Sequence, residues 1–233
     1  KNKNYIKTSL FLSIISFILI LYSTFLTRSG ILGDSSVHSF TDLGLSGQLL
    51  IYLFSFIILG FFYFVKRWDI LPKSDKKIKN YTPEFWLLLG VLTLLVMSFQ
   101  VIFPTSIPVI SSIIEMFGGI SNMAPPVEKE LFYSNAQIWF ASLIAIFSGI
   151  AQILWWNSKN SNNNINIFFR PLMLTMIISS LIIVIYPIKK VSYMILITSS
   201  FFSIFSNGSI LMHFFQKQQL VSSASVSHIG VAI

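Results

Sequence analysis

The chain has 233 residues, of which 54% are hydrophobic and only 10% are charged. A soluble domain normally carries about a quarter charged residues, so this composition excludes an ordinary soluble protein. The formal net charge of +8 does not indicate nucleic-acid binding, because the basic residues stand in short loops between apolar runs. The chain has no cysteine, which excludes disulfides and thiolate metal sites within it.

Six apolar runs follow one another along the chain, each long enough to cross or nearly cross a bilayer. They are Ile6–Leu26, Leu49–Val65, Phe85–Phe103, Ala136–Trp155, Leu172–Ile188 and Tyr193–Phe215. A seventh run begins near Val226 and reaches the last residue, Ile233. We therefore predict an all-α fold, a polytopic transmembrane helical bundle with six spans plus the start of a seventh. We expect residues 1–233 to form a single membrane domain.

The basic residues predict how the helices are oriented. If the N-terminus is cytoplasmic, twelve Lys and Arg residues fall on the inner side and four fall on the outer side. This imbalance favours a cytoplasmic N-terminus, because positive charge collects in cytoplasmic loops. The outer Lys189–Lys190 pair is the exception, and it weakens the case for the fifth and sixth runs as separate spans.

Two of the outward loops are polar or irregular. The loop Thr24–Gly44 contains Arg28 and His38, and the loop Pro104–Asn135 contains several prolines and glycines. The middle of the second loop, "PVISSIIEMF", is apolar enough to predict a short helix at the membrane surface.

The candidates for chemistry are Arg28 and the three histidines, because the sequence shows no nucleophile motif, phosphate loop or paired carboxylates. His38 is either a histidine at the level of the lipid headgroups or an axial ligand of a haem iron. Arg28 at the membrane boundary could pair with a haem propionate, or it could bind a lipid phosphate.

The other two histidines fall near the inner ends of apolar runs. His228 is expected two or three residues into the last helix, near the inner face and among small residues. It belongs either to a helix-packing face, where it would be hydrogen-bonded, or to a ligand site that a flat molecule can approach closely. His213 lies near the end of the sixth run, where its side chain can reach the interface.

Two motifs carry a resemblance to a known family. "STFLTRSGILGDSSVHSF", which follows a membrane helix, resembles the "GTFLxRSGxLxSVHxF" pattern of cytochrome c maturation haem lyases of the CcmF type, within the haem-handling family that includes CcsA. "SVSHIGVAI" resembles the family's "AHxGxA" helix start. Between them, "FPTSIPVI" and "APPVEKELFYSNAQIWF" resemble an outer loop and the helix that follows it. The first motif departs from the pattern by Ser23 in place of glycine and by two extra residues.

The resemblance implies a membrane haem lyase of the bacterial inner membrane. Such proteins receive haem from a periplasmic haem chaperone and attach it to the CxxCH cysteines of apocytochrome c, together with other cytochrome c maturation membrane proteins. One histidine pair ligates this substrate haem at the periplasmic face, and a second pair holds a permanent b-type haem in the membrane. By motif, His38 matches the periplasmic pair and is the catalytic candidate, and His228 matches the membrane pair.

The chain departs from the family in what it lacks. The tryptophan-rich "WWD" segment is missing, and both partner histidines would precede Lys1. Because the chain also starts without Met, we expect it to be an internal fragment of a longer haem-handling protein, inactive by itself.

The alternative function is a polytopic small-molecule transporter or permease subunit. A transporter of this kind should contain broken helices with polar residues at mid-membrane depth, and the sequence offers one such break, at Asn207–Gly208. A membrane scaffold with incidental histidines is a third possibility.

Overall fold

The computed structural model describes residues 6–33, 44–72, 82–159, 166–216 and 223–233. Within these ranges the chain forms eight α-helices. They are α1 (Ile6–Arg28), α2 (Ser46–Lys66), α3 (Pro83–Thr105), α4 (Ile107–Met116), α5 (Lys129–Lys159), α6 (Asn166–Ile185), α7 (Val191–Gln216) and α8 (Ser223–Ala232).

Six of these helices, α1, α2, α3, α5, α6 and α7, are long and apolar enough to cross a membrane. The predicted all-α fold with six spans is therefore confirmed, and α8 occupies the start of the predicted seventh run. Many large apolar side chains on these helices are exposed, such as Ile51 at 70% and Leu87 at 66%. Such exposure is stable in lipid, whose tails are as apolar as leucine. The chain is a multi-pass helical membrane protein.

Some helices begin or end outside the apolar runs that predicted them. The helix α5 begins at Lys129 instead of Ala136, with Glu130 in its first turn, where the helix dipole favours a negative charge. Tyr133 in the same segment lies 3.1 Å, hydroxyl to hydroxyl, from Thr105 at the end of α3. Helix formation thus extends beyond the residues that lipid requires to be apolar.

The structure also tests two predictions about segments that connect the spans. Residues 186–190, which include Lys189 and Lys190, are not helical and separate α6 from α7, so the fifth and sixth runs are distinct helices. The predicted short helix in the second outer loop is present as α4.

The chain divides into two compact units. The first contains α1, α2 and α4, and the second contains α3, α5, α6, α7 and α8. The prediction of one membrane domain over residues 1–233 stays a prediction.

In the first unit, α1 and α2 are antiparallel. Lys7 near the start of α1 places its Nζ 4.0 Å from the ring centroid of Trp68, just after α2. At the opposite end, a buried cluster around Phe25 packs against Leu49 of α2 and Val109 of α4. The short helix α4 therefore lies at the same end of α1 as Arg28.

In the second unit, α5 and α7 are the central pair and run parallel. Ser148 of α5 is level with Ser203 of α7, and Trp156 is level with His213 two turns further on. The helices α6 and α8 both pack against α7, and α3 packs against α5.

Candidate functional site

Arg28 is the last residue of α1, and its side chain is exposed. Lys7 is the second residue of the same helix, so about 32 Å of helix axis separates the two. This distance is close to the thickness of a bilayer hydrocarbon core, about 30 Å. A spanning α1 therefore holds Arg28 and Lys7 at opposite membrane surfaces.

The chain turns immediately after Arg28. Gly30 has φ 73° and Gly33 has φ 44°, a left-handed conformation that glycine adopts without the steric cost of a side chain. Gly33 N donates to Gly30 O at 3.0 Å, and Leu32 is buried in the cluster around Phe25. The positive φ angle of Gly30 explains why a glycine follows Arg28 and Ser29. His38 lies outside the described residues, so its position beside Arg28 stays a prediction.

His228 is the sixth residue of α8, because this helix begins at Ser223, earlier than the predicted start near Val226. The first turn is held to α5 by a buried hydrogen bond in which Gln152 Nε2 donates to Ser225 Oγ at 2.8 Å. His228 follows three residues later, about 4.5 Å further along the axis. Its side chain is half-buried.

The helix face beside His228 is open. Ala224 and Val231, four residues before and three residues after His228, lie on the same side of α8, and both are exposed. A flat macrocycle could approach an imidazole here, so these residues fit one axial position of a haem. In the part of the chain that the structure describes, no cluster of three or more metal-ligating side chains occurs, and α8 carries a single imidazole, that of His228.

His213 has a packing partner. Its ring stacks on Trp156, with centroids 5.7 Å apart and planes at 15°, and Trp156 is only 5% exposed. Phe214 packs edge-on against the same indole, with centroids 5.0 Å apart. One face of the imidazole is therefore covered by the α5–α7 contact. That His213 binds no haem stays a prediction.

The sequence did not predict a set of buried or partly buried polar side chains between α5, α7 and α8, which we call the polar seam. It consists of Ser148, Gln152, Ser203, Ser206, Asn207 and Ser225. Asn207 Nδ2 contacts Ser148 Oγ at 3.4 Å across the helix pair. The spacing of the buried serines on α7, at 199, 203 and 206, is the three-and-four pattern of one helix face and could have indicated it.

Close approach of the two helices makes these contacts possible. A Cβ at Gly149 of α5 would lie 2.7 Å from Phe202 Cε1 and 3.3 Å from Ser206 Oγ of α7. Small residues at a membrane helix crossing allow such proximity, and interhelical hydrogen bonds then hold the pair together. The seam is therefore a packed contact between helices.

The predicted break at Asn207–Gly208 is wrong, because α7 is continuous from Val191 to Gln216. Asn207 is fully buried, and its Nδ2 donates to the carbonyl oxygen of Ser203 at 2.9 Å, one turn earlier in the same helix. The side chain thus bonds within the helix and to α5 without interrupting α7. The transporter alternative loses the feature on which it was based.

No protein-family model, curated protein or solved structure matches the chain. The described residues show a polytopic helical membrane protein with six candidate spans.

Proposed function

We propose that the chain is part of a membrane haem lyase that handles haem at the periplasmic face and attaches it to the CxxCH cysteines of apocytochrome c. The observation that carries the proposal is the half-buried His228 on α8, with the exposed Ala224 and Val231 on the same side of the helix. An ionisable group within an apolar helix is a candidate for function, and imidazole is a common axial ligand of haem iron. A b-type haem bound there supplies electron transfer to the substrate haem.

The proposal gives a part to a small set of side chains at two sites. His228 would provide one axial nitrogen, and the small, exposed side chain of Ala224 one turn earlier would leave room for the macrocycle edge. The Gln152–Ser225 hydrogen bond fixes the first turn of α8 and so orients the imidazole. At the other site, His38 ligates the iron of the substrate haem, and Arg28 pairs with a propionate of that haem.

The proposed location is the bacterial inner membrane, with Arg28 on the periplasmic side. Support comes from the basic side chains Lys7, Lys66 and Arg67, which the antiparallel α1 and α2 bring to the end opposite Arg28. Positive charge marks the cytoplasmic surface. The proposed partners are a periplasmic haem chaperone, apocytochrome c and other cytochrome c maturation membrane proteins.

The test is the absorbance spectrum of the purified full-length protein. His228→Ala should abolish or strongly shift the b-type haem bands, whereas His213→Ala should leave them unchanged. Added imidazole should restore part of the spectrum of His228→Ala, because it replaces the lost axial nitrogen. Loss of the bands in His213→Ala with retention in His228→Ala would contradict the assignment.

A second variant separates the two proposed haem sites. His38→Ala should lower covalent haem attachment to apocytochrome c and leave the b-type bands in place, because His38 contacts only the substrate haem. Disappearance of the b-type bands in this variant would show that the sites are wrongly assigned.

A further inference from the structure

The first unit contains an apolar groove that the proposed function does not use. It lies between the first half of α1 and the end of α2 and has a volume of about 630 Å³. Its walls include Leu10 and Ile14 from α1 and Leu59 and Phe64 from α2.

A single glycine shapes this groove. Gly60 of α2 lies in its wall, and a Cβ there would come within 3.0 Å of Ile14 Cγ2. The two helices therefore approach closely at Gly60. Phe11 of α1 packs against Phe64 of α2, with ring centroids 5.7 Å apart, and Phe64 lies in the wall of the groove nearer Arg67. The result is a slot with apolar walls, suited to an acyl chain.

The charge at the groove is positive. Arg67 forms part of the wall, Lys66 precedes it in the chain, and Lys7 stands over Trp68. Asp69 is the one acidic residue of the described stretch 44–72. Within the described ranges, none of the three cations forms an ion pair with a carboxylate, so their charge is available to an anionic ligand.

We propose that this groove binds an anionic phospholipid of the surrounding leaflet, with an acyl chain along the apolar wall and the phosphate at Arg67. A guanidinium offers two parallel donors to a phosphate, and Tyr63 in the same wall adds a hydroxyl. Basic pockets between membrane helices on the positively charged side bind anionic headgroups in this manner. The site lies at the end of α1 opposite Arg28, shares no residue with the proposed haem sites and does not depend on the haem proposal.

Native mass spectrometry tests the proposal. The detergent-solubilised protein is titrated with phosphatidylglycerol or with phosphatidylcholine, and the bound lipid is measured after the detergent has been removed. The wild-type protein should bind the first phosphatidylglycerol more tightly than phosphatidylcholine. Arg67→Gln should weaken phosphatidylglycerol binding roughly fivefold, the loss expected for one cation near an anionic headgroup. Arg67→Lys keeps the positive charge but loses the two parallel donors, so its preference should lie between those of the wild type and Arg67→Gln.

Arg170→Gln provides the matched control. Arg170 is an exposed basic residue near the start of α6, outside the groove, and its replacement should leave the preference unchanged. Equal loss in Arg170→Gln, or no loss in Arg67→Gln, would overturn the proposal. Inorganic phosphate should not displace phosphatidylglycerol; displacement would show that the site recognises phosphate without an acyl chain.

Discussion

Gln152 of α5 donates a hydrogen bond of 2.8 Å to Ser225 of α8, with both side chains buried. The two residues are separated by the whole of α6 and α7 in sequence. This bond fixes where α8 begins, and it places His228 on the next turn.

Ser225→Ala should therefore destabilise the second unit. The substitution leaves the Gln152 amide without its acceptor, and interhelical hydrogen bonds in membranes contribute about 0.6 kcal/mol on average and up to about 1.7. A lower midpoint in an SDS unfolding titration, equivalent to roughly 1 kcal/mol, measures the effect. Ser227→Ala is the control, because Ser227 is exposed and bonds only to Ser223 within α8; a similar loss there would contradict the argument.

Two glycine substitutions should change stability in opposite directions. Gly149→Ala places a methyl 2.7 Å from the buried Phe202 ring and should cost about 1–3 kcal/mol through overpacking. Gly208→Ala meets nothing within 4 Å and should stabilise α7 by about 0.5–1 kcal/mol, because glycine is a poor helix former. Thermal unfolding in detergent compares the two, and destabilisation of equal size in both variants would refute the close crossing.

The orientation of the first unit can be tested by labelling. Asn122, which is exposed and follows α4, and Asp69, which follows α2, are predicted to face opposite sides of the membrane. In this cysteine-free chain, Asn122→Cys should react with an impermeant thiol reagent from the periplasm, and Asp69→Cys should react only after the membrane is opened. The reversed pattern would overturn the prediction from the basic residues.

The stack of His213 on Trp156 predicts which replacements position 213 tolerates. His213→Phe keeps a flat ring against the indole and should retain the stability of the α5–α7 pair. His213→Ala should lose about 0.5–1.5 kcal/mol, the contribution of an aromatic pair beyond its buried area. The same SDS titration measures both, and equal stability of the alanine and phenylalanine variants would show that the stack contributes nothing.

Hydropathy predicted the six spans because a bilayer imposes both the length and the apolarity of a spanning helix. It could not predict the start of α5 at Lys129, since a helix that has left the hydrocarbon core no longer needs apolar residues. It also could not predict the Gln152–Ser225 bond, because the spacing of residues on one helix identifies a face and not its partner. The spacing of the serines on α7 could have indicated such a face, but only the folded structure shows that α5 and α8 cover it.

The candidate haem residues were predictable to different degrees. His228 was identified from its motif, and the structure adds that its side chain is half-buried and that Ala224 and Val231 on the same side of α8 are exposed. The turn after Arg28 explains the glycines of its motif through their positive φ angles. The role of His38, which lies outside the described residues, stays a prediction from the motif alone.

The 31 residues of α5 give a rod about 46 Å long. An average tilt of about 20° shortens its vertical reach by only about 3 Å, and the hydrocarbon core is about 30 Å thick. Roughly nine residues of α5 must then stand among the lipid headgroups or in water. The segment Ala136–Trp155, about 30 Å of helix, matches the hydrocarbon core, so the membrane need not thin or thicken around α5. A soluble protein approaching this surface would meet the projecting helix end, with Lys129 and Glu130, before it met the lipid.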